Sequence, residues 1–231
     1  MNKNIPLNRR FDNTLLKPES TWDEIKEFVD ETLKYNFRNV VVPWYAIPTY
    51  VIEKVQGTEV GINVGPGGFP LGIVPTELKM REIEYYLSLG DAITDFDITI
   101  NISAVKSENW DLLKKEFTVL SERVKKENRT CKFIIETCRL TDKEILKVCE
   151  LLVDIPTIDF VKTGTGFGPR ATSYHDVELI NSIVAGKKEI KVSGGVRSLE
   201  QFEKFMELGA SIFGSSSSLS ILKEYEKKYG T

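Results

Sequence analysis

The sequence predicts an α/β chain closed into a (β/α)8 barrel, the TIM-barrel architecture, as one domain over residues 1–231. Three observations lead there. Eight short apolar runs rich in β-branched residues alternate with stretches of helical period, and right-handed βαβ crossovers in series place parallel strands inside and helices outside. No early Gly-x-Gly-x-x-Gly segment marks an open dinucleotide-binding sheet, the competing arrangement. The unusual polar residues fall at the ends of the predicted strands, where barrels of this kind carry their chemistry.

Taken in order, Phe11-Asp12-Asn13-Thr14-Leu15-Leu16-Lys17-Pro18 reads as a short apolar strand edged with polar groups. Ser20-Thr21-Trp22-Asp23-Glu24 then opens an N-capped helix running to about residue 35. Within it Ile25, Phe28, Val29 and Leu33 recur at helical spacing, while Lys26, Glu27, Asp30 and Glu31 form the wet face. The continuous run over 39–43 suits a parallel strand covered on both faces, and 50–55 a short helix. A third strand spans 60–64, followed by the Gly- and Pro-rich turn at 65–70 and a helix over 76–89. The remaining pairs are a strand at 96–102 with a helix at 110–126, then 131–136 with 142–153, 158–163 with 177–184, 189–193 with 199–208, and 211–214 with 219–229.

Composition narrows the functional classes. An apolar fraction of 41% and a charged fraction of 28% belong to a globular chain with ample core. The net charge is −3 and the basic residues are evenly spread, so the positive field of a nucleic-acid binder is missing. Cys131, Cys138 and Cys149 are odd in number and not closely paired, which favours thiols in a reducing compartment over disulfides or a zinc site. No long apolar stretch offers a signal peptide or membrane span, so no membrane partner is expected and the cytoplasm is the expected location.

Two segments carry chemistry. Phe160-Val161-Lys162-Thr163-Gly164-Thr165-Gly166-Phe167-Gly168 ends an apolar strand in a lysine facing glycines, and Ile190-Lys191-Val192-Ser193-Gly194-Gly195-Val196-Arg197 repeats that order. On adjacent strands both lysines project into the barrel mouth. A cation beside another cation in a partly dry pocket loses basicity, leaving a neutral amine that attacks aldehydes and ketones to form an imine, the chemistry of class I aldolases. Imine formation needs a proton relay. Thr94-Asp95-Phe96-Asp97-Ile98 places two carboxylates on one strand face. Asp97, deeper in the apolar run, is the expected acid/base, and Asp95 the structural one. Asp12 either orients the network or caps a turn. Gly166, the pair Gly194 and Gly195, and Gly214 with Ser215, Ser216 and Ser217 lie on three late loops and can present backbone N–H groups to a phosphate, with Arg197 and the hydroxyls adding charge and donors. His175, the lone histidine, is expected at the surface or as a cap, Glu136 in a structural pair, and the thiols in the core, with Cys138 the exception.

At these residues the chain resembles deoxyribose-phosphate aldolase, over residues 12 to about 222. The matching segments are Asp12-Asn13-Thr14-Leu15-Leu16-Lys17-Pro18, Gly68-Phe69-Pro70-Leu71-Gly72, Asp97-Ile98-Thr99-Ile100-Asn101-Ile102, Ile134-Ile135-Glu136-Thr137, Val161-Lys162-Thr163-Gly164-Thr165-Gly166-Phe167, Lys191-Val192-Ser193-Gly194-Gly195-Val196-Arg197 and Phe213-Gly214-Ser215-Ser216-Ser217. The resemblance implies that Lys162 forms the Schiff base, Lys191 lowers its pKa, and Asp97 completes the relay. It also implies that Gly166, Gly194, Gly195, Gly214 and Ser216 border a phosphate; Asp12, Thr165, Arg197 and Ser217 are expected at the same site on the residue reading. The implied reaction is reversible cleavage of 2-deoxy-D-ribose 5-phosphate to D-glyceraldehyde 3-phosphate and acetaldehyde, with no cofactor or metal, in a homodimer or larger assembly. A related aldolase for another phosphorylated sugar, or a silent sugar-phosphate-binding barrel, are the alternatives. Departures from the family pattern are Asn13 in place of a common histidine, Gly164 in place of serine, Val41 in place of a frequent cysteine, and a loop over 65–68 one residue longer. Gly164 and that loop are expected at the substrate mouth.

Overall fold

Parallel pairing runs without a break through eight strands and returns from the last to the first, closing a barrel in sequence order. The computed structural model describes residues 5–230. The strands are β1 Phe11–Thr14, β2 Asn39–Val41, β3 Gly61–Val64, β4 Ile93–Thr99, β5 Thr130–Ile134, β6 Phe160–Lys162, β7 Glu189–Ser193 and β8 Ala210–Ser215. Helices α1 Trp22–Lys34, α2 Ile52–Val55, α3 Thr76–Ser88, α4 Ile102–Lys106, α5 Trp110–Lys126, α6 Asp142–Val153, α7 Tyr174–Val184, α8 Leu199–Glu207 and α9 Ser218–Tyr229 cover the outside. Among the described residues no helix is long and apolar enough to cross a membrane.

The period of two in each strand divides its side chains between two environments. Phe11, Val40, Ile62, Phe96, Ile98, Phe133, Val161, Val192 and Phe213 belong to the apolar core between sheet and helices. Phe213 stacks on Phe202 of α8 with ring centroids 4.6 Å apart, and Phe133 on Phe117 of α5 at 4.8 Å. The alternate set, Asp12, Asn39, Asn63, Asp95, Asp97, Lys132, Lys162 and Lys191, is buried as well but joined by hydrogen bonds and ion pairs. The apolar core therefore forms a shell, and the barrel's axis is ionic. Register brings the polar residues level: Asp97 pairs with Lys132 across β4 and β5, and Lys162 with Lys191 across β6 and β7.

Helix starts follow local chemistry. Thr21 with Glu24, Thr141 with Glu144 and Ser173 with Asp176 form reciprocal capping boxes at α1, α6 and α7. The Ser173 box starts α7 at Tyr174, one turn before the expected 177. β4 begins at Ile93 rather than 96 and stops at Thr99, because the Asn101 side chain accepts the Ala104 N–H and turns the chain into the short α4, which the sequence pattern does not reveal. The stretch before α2 is a 3-10 turn, Trp44–Ala46, and a wide π turn, Ile47–Val51. A buried ion pair also lies outside the barrel axis. Lys79 of α3 meets Glu116 of α5 at 2.8 Å and donates to the Thr99 carbonyl at the end of β4, also at 2.8 Å.

Candidate active site

The C-terminal ends of the strands enclose a cavity of about 320 Å³. Lys162, Lys191, Asp97 and Ser193 face it; Thr14, Leu15, Val41 and Phe167 are among its walls; Gly166, Gly194, Gly195, Arg197, Gly214 and Ser216 line the side formed by the late loops. Lys162 arrives there because β6 ends on it: Thr163 and Thr172 then turn the chain, their hydroxyls 2.9 Å apart and both donating to the Ser193 carbonyl. Phe167 is packed edge-on against Phe69, with centroids 5.7 Å apart.

The two lysines converge on one carboxylate. Asp97 Oδ2 accepts from Lys162 Nζ at 2.7 Å, Lys191 Nζ at 2.6 Å and Asn63 Nδ2 at 2.9 Å. Lys191 also donates to Asp12, which is held by Asn39 Nδ2 at 2.8 Å and Arg38 Nη1 at 3.0 Å. Arg38 spans to Asp95 at 2.7 Å, and Lys132 closes the ring, 2.5 Å from Asp95 and 3.1 Å from Asp97 Oδ1. Three carboxylates are thus interlaced with four cations.

Burial is the largest influence on Lys162, Lys132, Arg38 and the three aspartates. It lowers the Lys162 ammonium to about 8; Asp97 opposes the fall, and Lys191 and Lys132 add to it. The neighbouring lysine acts as expected, but desolvation is the larger cause. Burial opposes ionisation of the aspartates, and the cations overcome it: Lys132, Lys162 and Lys191 hold Asp97 well below the usual carboxylate range, and Lys191, Arg38 and Lys132 hold Asp12 below it. Asp95 is lowered in the same way by Lys132 and Arg38, whose own basicities rise against burial because of the carboxylates. The arrangement makes the free amine of Lys162 accessible near neutral pH, beside a carboxylate it shares with Lys191, as an imine-forming centre requires.

Comparison with known proteins places the chain in a family through its relatives. No family model matches the chain. It is 36% identical over 222 residues to deoxyribose-phosphate aldolase 1 of Mesoplasma florum, covering 96% of this chain and 98% of that one. Deoxyribose-phosphate aldolase of Caldanaerobacter subterraneus is likewise 36% identical over 222 residues, covering 95% and 94%. The chain belongs to the deoxyribose-phosphate aldolase family. Among solved structures, the aldolase QR15 superposes with a TM-score of 0.87 at 33% identity, covering 97% of this chain and 98% of that one. The deoxyribose phosphate aldolase of Aeropyrum pernix, described as tetrameric, gives 0.83 at 27% identity and covers 96% and 92%.

Against the family pattern, the structure sorts the expected site residues into three groups. Lys162, Lys191, Asp97, Thr165, Gly166, Gly194, Gly195, Arg197, Gly214 and Ser216 line the cavity. Asp12 lies beneath it, fully buried, and holds Lys191 rather than capping a turn. Ser217 sits one residue beyond the lining, as the N-cap of α9, with its N–H on Ser215 Oγ at 2.9 Å. The Thr165 hydroxyl is already engaged, donating to Glu136 and accepting the Phe167 N–H. Glu136 accordingly has a structural partner; Cys138 donates to it at 3.2 Å, while Cys131 and Cys149 are buried. His175 is exposed and meets Asp142 at 2.8 Å.

The departures lie away from the cavity, with one exception. Asn13 points outward and donates to Thr32 of α1 at 2.9 Å. Gly164 was expected at the mouth, yet it sits behind it, where an added Cβ would be 3.0 Å from Glu136 Oε1. The loop over 65–68 also turns away, with the Gly67 and Gly68 N–H groups donating to Glu82 of α3. Val41 is the departure that lines the cavity.

Sequence reasoning missed Arg38, Asn39, Asn63, Lys132 and Ser193, and read Asp95 as the structural carboxylate on the strand face it shares with Asp97. Asp95 and Asp97 both point inward, as two residues on one strand face must. Lys132 had a signal: a lysine between Cys131 and Phe133 inside a strand has nowhere to go but the barrel axis. Ser193, whose buried hydroxyl has no hydrogen-bond partner among the described residues, carried none.

Proposed function

We propose that this chain is a class I aldolase that reversibly cleaves 2-deoxy-D-ribose 5-phosphate to D-glyceraldehyde 3-phosphate and acetaldehyde through a Schiff base on Lys162. The observation that carries the reading is the Lys162 amine at the cavity face, lowered in basicity and hydrogen-bonded to the carboxylate it shares with Lys191. In the cleavage direction the free amine adds to C1 of the open-chain sugar aldehyde. The C=O π electrons move to oxygen, which gains a proton, and loss of water leaves an iminium. Removal of the C3 hydroxyl proton then sends the C2–C3 bonding pair into the iminium, giving an enamine and releasing glyceraldehyde 3-phosphate. Protonation of the enamine carbon and addition of water regenerate the amine and release acetaldehyde. The Asp97–Lys191 pair is the proton carrier within hydrogen-bond reach of Lys162.

The phosphate is assigned to the late loops. Gly166, Gly194, Gly195 and Gly214 present backbone, and α9 has no side-chain cap at Ser217, so its first-turn N–H groups are open to an anion beside Ser216, with Arg197 at the rim. Residues 1–231 are read as one aldolase domain. Three free cysteines support a cytoplasmic setting, and a homo-oligomer is expected, to be measured by light scattering.

The test is chemical trapping. Borohydride with acetaldehyde is expected to add an ethyl group at Lys162, and Lys162→Ala to reduce glyceraldehyde 3-phosphate release from deoxyribose 5-phosphate to background. An adduct at another lysine, or undiminished turnover in that variant, refutes the assignment.

A further inference from the structure

Lys132, Asp95 and Arg38 take no part in the steps above and do not line the cavity. They are nonetheless wired to it. Asp97 is claimed on Oδ2 by Lys162, Lys191 and Asn63 and on Oδ1 by Lys132, so what it offers Lys162 depends on what Lys132 takes. Lys132 in turn divides itself between Asp97 and Asp95, and Asp95 also accepts from Arg38 and from Thr94 Oγ1 at 2.8 Å.

We propose that Lys132 and Asp95 are positioning residues that set the basicity of Lys162 through the shared carboxylate Asp97. The inference rests on the reading of Lys162 as the imine-forming amine. The charged groups of the cavity wall, Lys17, Glu19 and Arg197, are exposed to solvent, and those buried with Lys162 come from the strands. Asp12 comes from β1, Arg38 and Asn39 from the start of β2, Asn63 from β3, Asp95 and Asp97 from β4, Lys132 from β5 and Lys191 from β7; β8 contributes the uncharged Ile212 and Gly214 at the matching register. With Arg38, Lys132 and Lys191 charged, the three aspartates are matched one for one. A charged Lys162 is then the surplus cation in a space where charge is poorly screened, and of the four cations it and Lys191 are the two that line the cavity. Lys191 is held by two carboxylates and Lys162 by one, so Lys162 is the group that gives up its proton.

Two substitutions that touch neither Lys162 nor Lys191 directly should shift Lys162 in opposite directions. Lys132→Met removes a cation, leaves a charged Lys162 balanced, and should raise the pH at which the amine becomes free. Asp95→Asn removes a carboxylate, leaves two surplus cations, and should lower it. A purely structural role would weaken both variants without moving them apart.

The experiment is the rate of acetaldehyde-dependent borohydride labelling of the full chain as a function of pH, with the labelled residue identified by peptide mass. Wild type is expected to show a midpoint near 8. Lys132→Met should move it up, and Asp95→Asn down, each by about one pH unit, and the double variant should return it toward the wild-type value. Asp95→Asn keeps the size and an acceptor oxygen of the original residue, so it carries the test if Lys132→Met does not fold. Label at Lys162 with both midpoints unmoved, or moved the same way, overturns the inference alone. Label at a different residue overturns the functional reading and this inference with it.

Discussion

At the scale of single residues, the late loops depend on positions where no side chain fits. Gly195 has φ +93°, and a Cβ built on it would lie 2.5 Å from the Ala171 Cβ, a contact between two groups that cannot rotate away. Gly195→Ala must therefore displace the loop between β7 and α8 against its neighbour, at a strain of about 1–3 kcal/mol. Because this loop is assigned to the phosphate and not to the imine, the cost should appear in one half of the reaction. KM for deoxyribose 5-phosphate is expected to rise about tenfold or more, while labelling of Lys162 by acetaldehyde, which has no phosphate, keeps its wild-type rate. Equal loss in both assays would place Gly195 in the scaffold of the lysines instead.

At the scale of elements, α3 and α5 are tied to the end of β4 by the buried Lys79–Glu116 pair, with Thr76 donating to Glu116 at 2.9 Å and Lys79 to the Thr99 carbonyl. Burial lowers the basicity of Lys79 and Glu116 counters it, so the pair holds only while both partners remain. Lys79→Met leaves the Glu116 carboxylate buried without a cation, which should cost about 3–5 kcal/mol in urea unfolding. Adding Glu116→Leu removes the stranded charge and is expected to recover most of that loss, whereas an undiminished cost in the double variant would mean that the Thr99 contact, not the ion pair, is what matters. The strand β4 carries Asp95 and Asp97, so this tie also steadies the strand that supplies the relay.

At the scale of the whole molecule, the barrel's axis is an ionic column to which seven of the eight strand elements contribute. Its aspartates make stability depend on pH. The folded pKa values of Asp12, Asp95 and Asp97 all lie below the ordinary 3.8, so the folded state binds protons less readily than the unfolded chain. The sign follows: their stabilisation is fully present above the ordinary value and is lost as pH falls through the depressed folded values. Thermal unfolding midpoints should be level from neutral pH down to about 5 and drop steeply below about 4. Asp95→Asn should flatten that drop, and an unchanged acid limb would show that the column does not govern acid stability.

What the sequence determined by itself was local and periodic. Alternation of β-branched runs with helical stretches predicted eight units and hence the barrel; capping residues predicted helix starts such as Thr21; and lysines closing strands before glycines marked Lys162 and Lys191 as chemical. Those signals span a few residues, the range over which backbone preference acts. Partnership depends on the closed fold. Asp12 and Lys191 are 179 residues apart in the chain, yet they meet because closing the barrel pairs β1 with β8 and β8 with β7. Lys132 is one charged residue in an apolar strand and Arg38 precedes another, and strand register sets both on the carboxylates beneath Lys162. Charge balance belongs to a closed ring of strands. It cannot be counted until the ring exists.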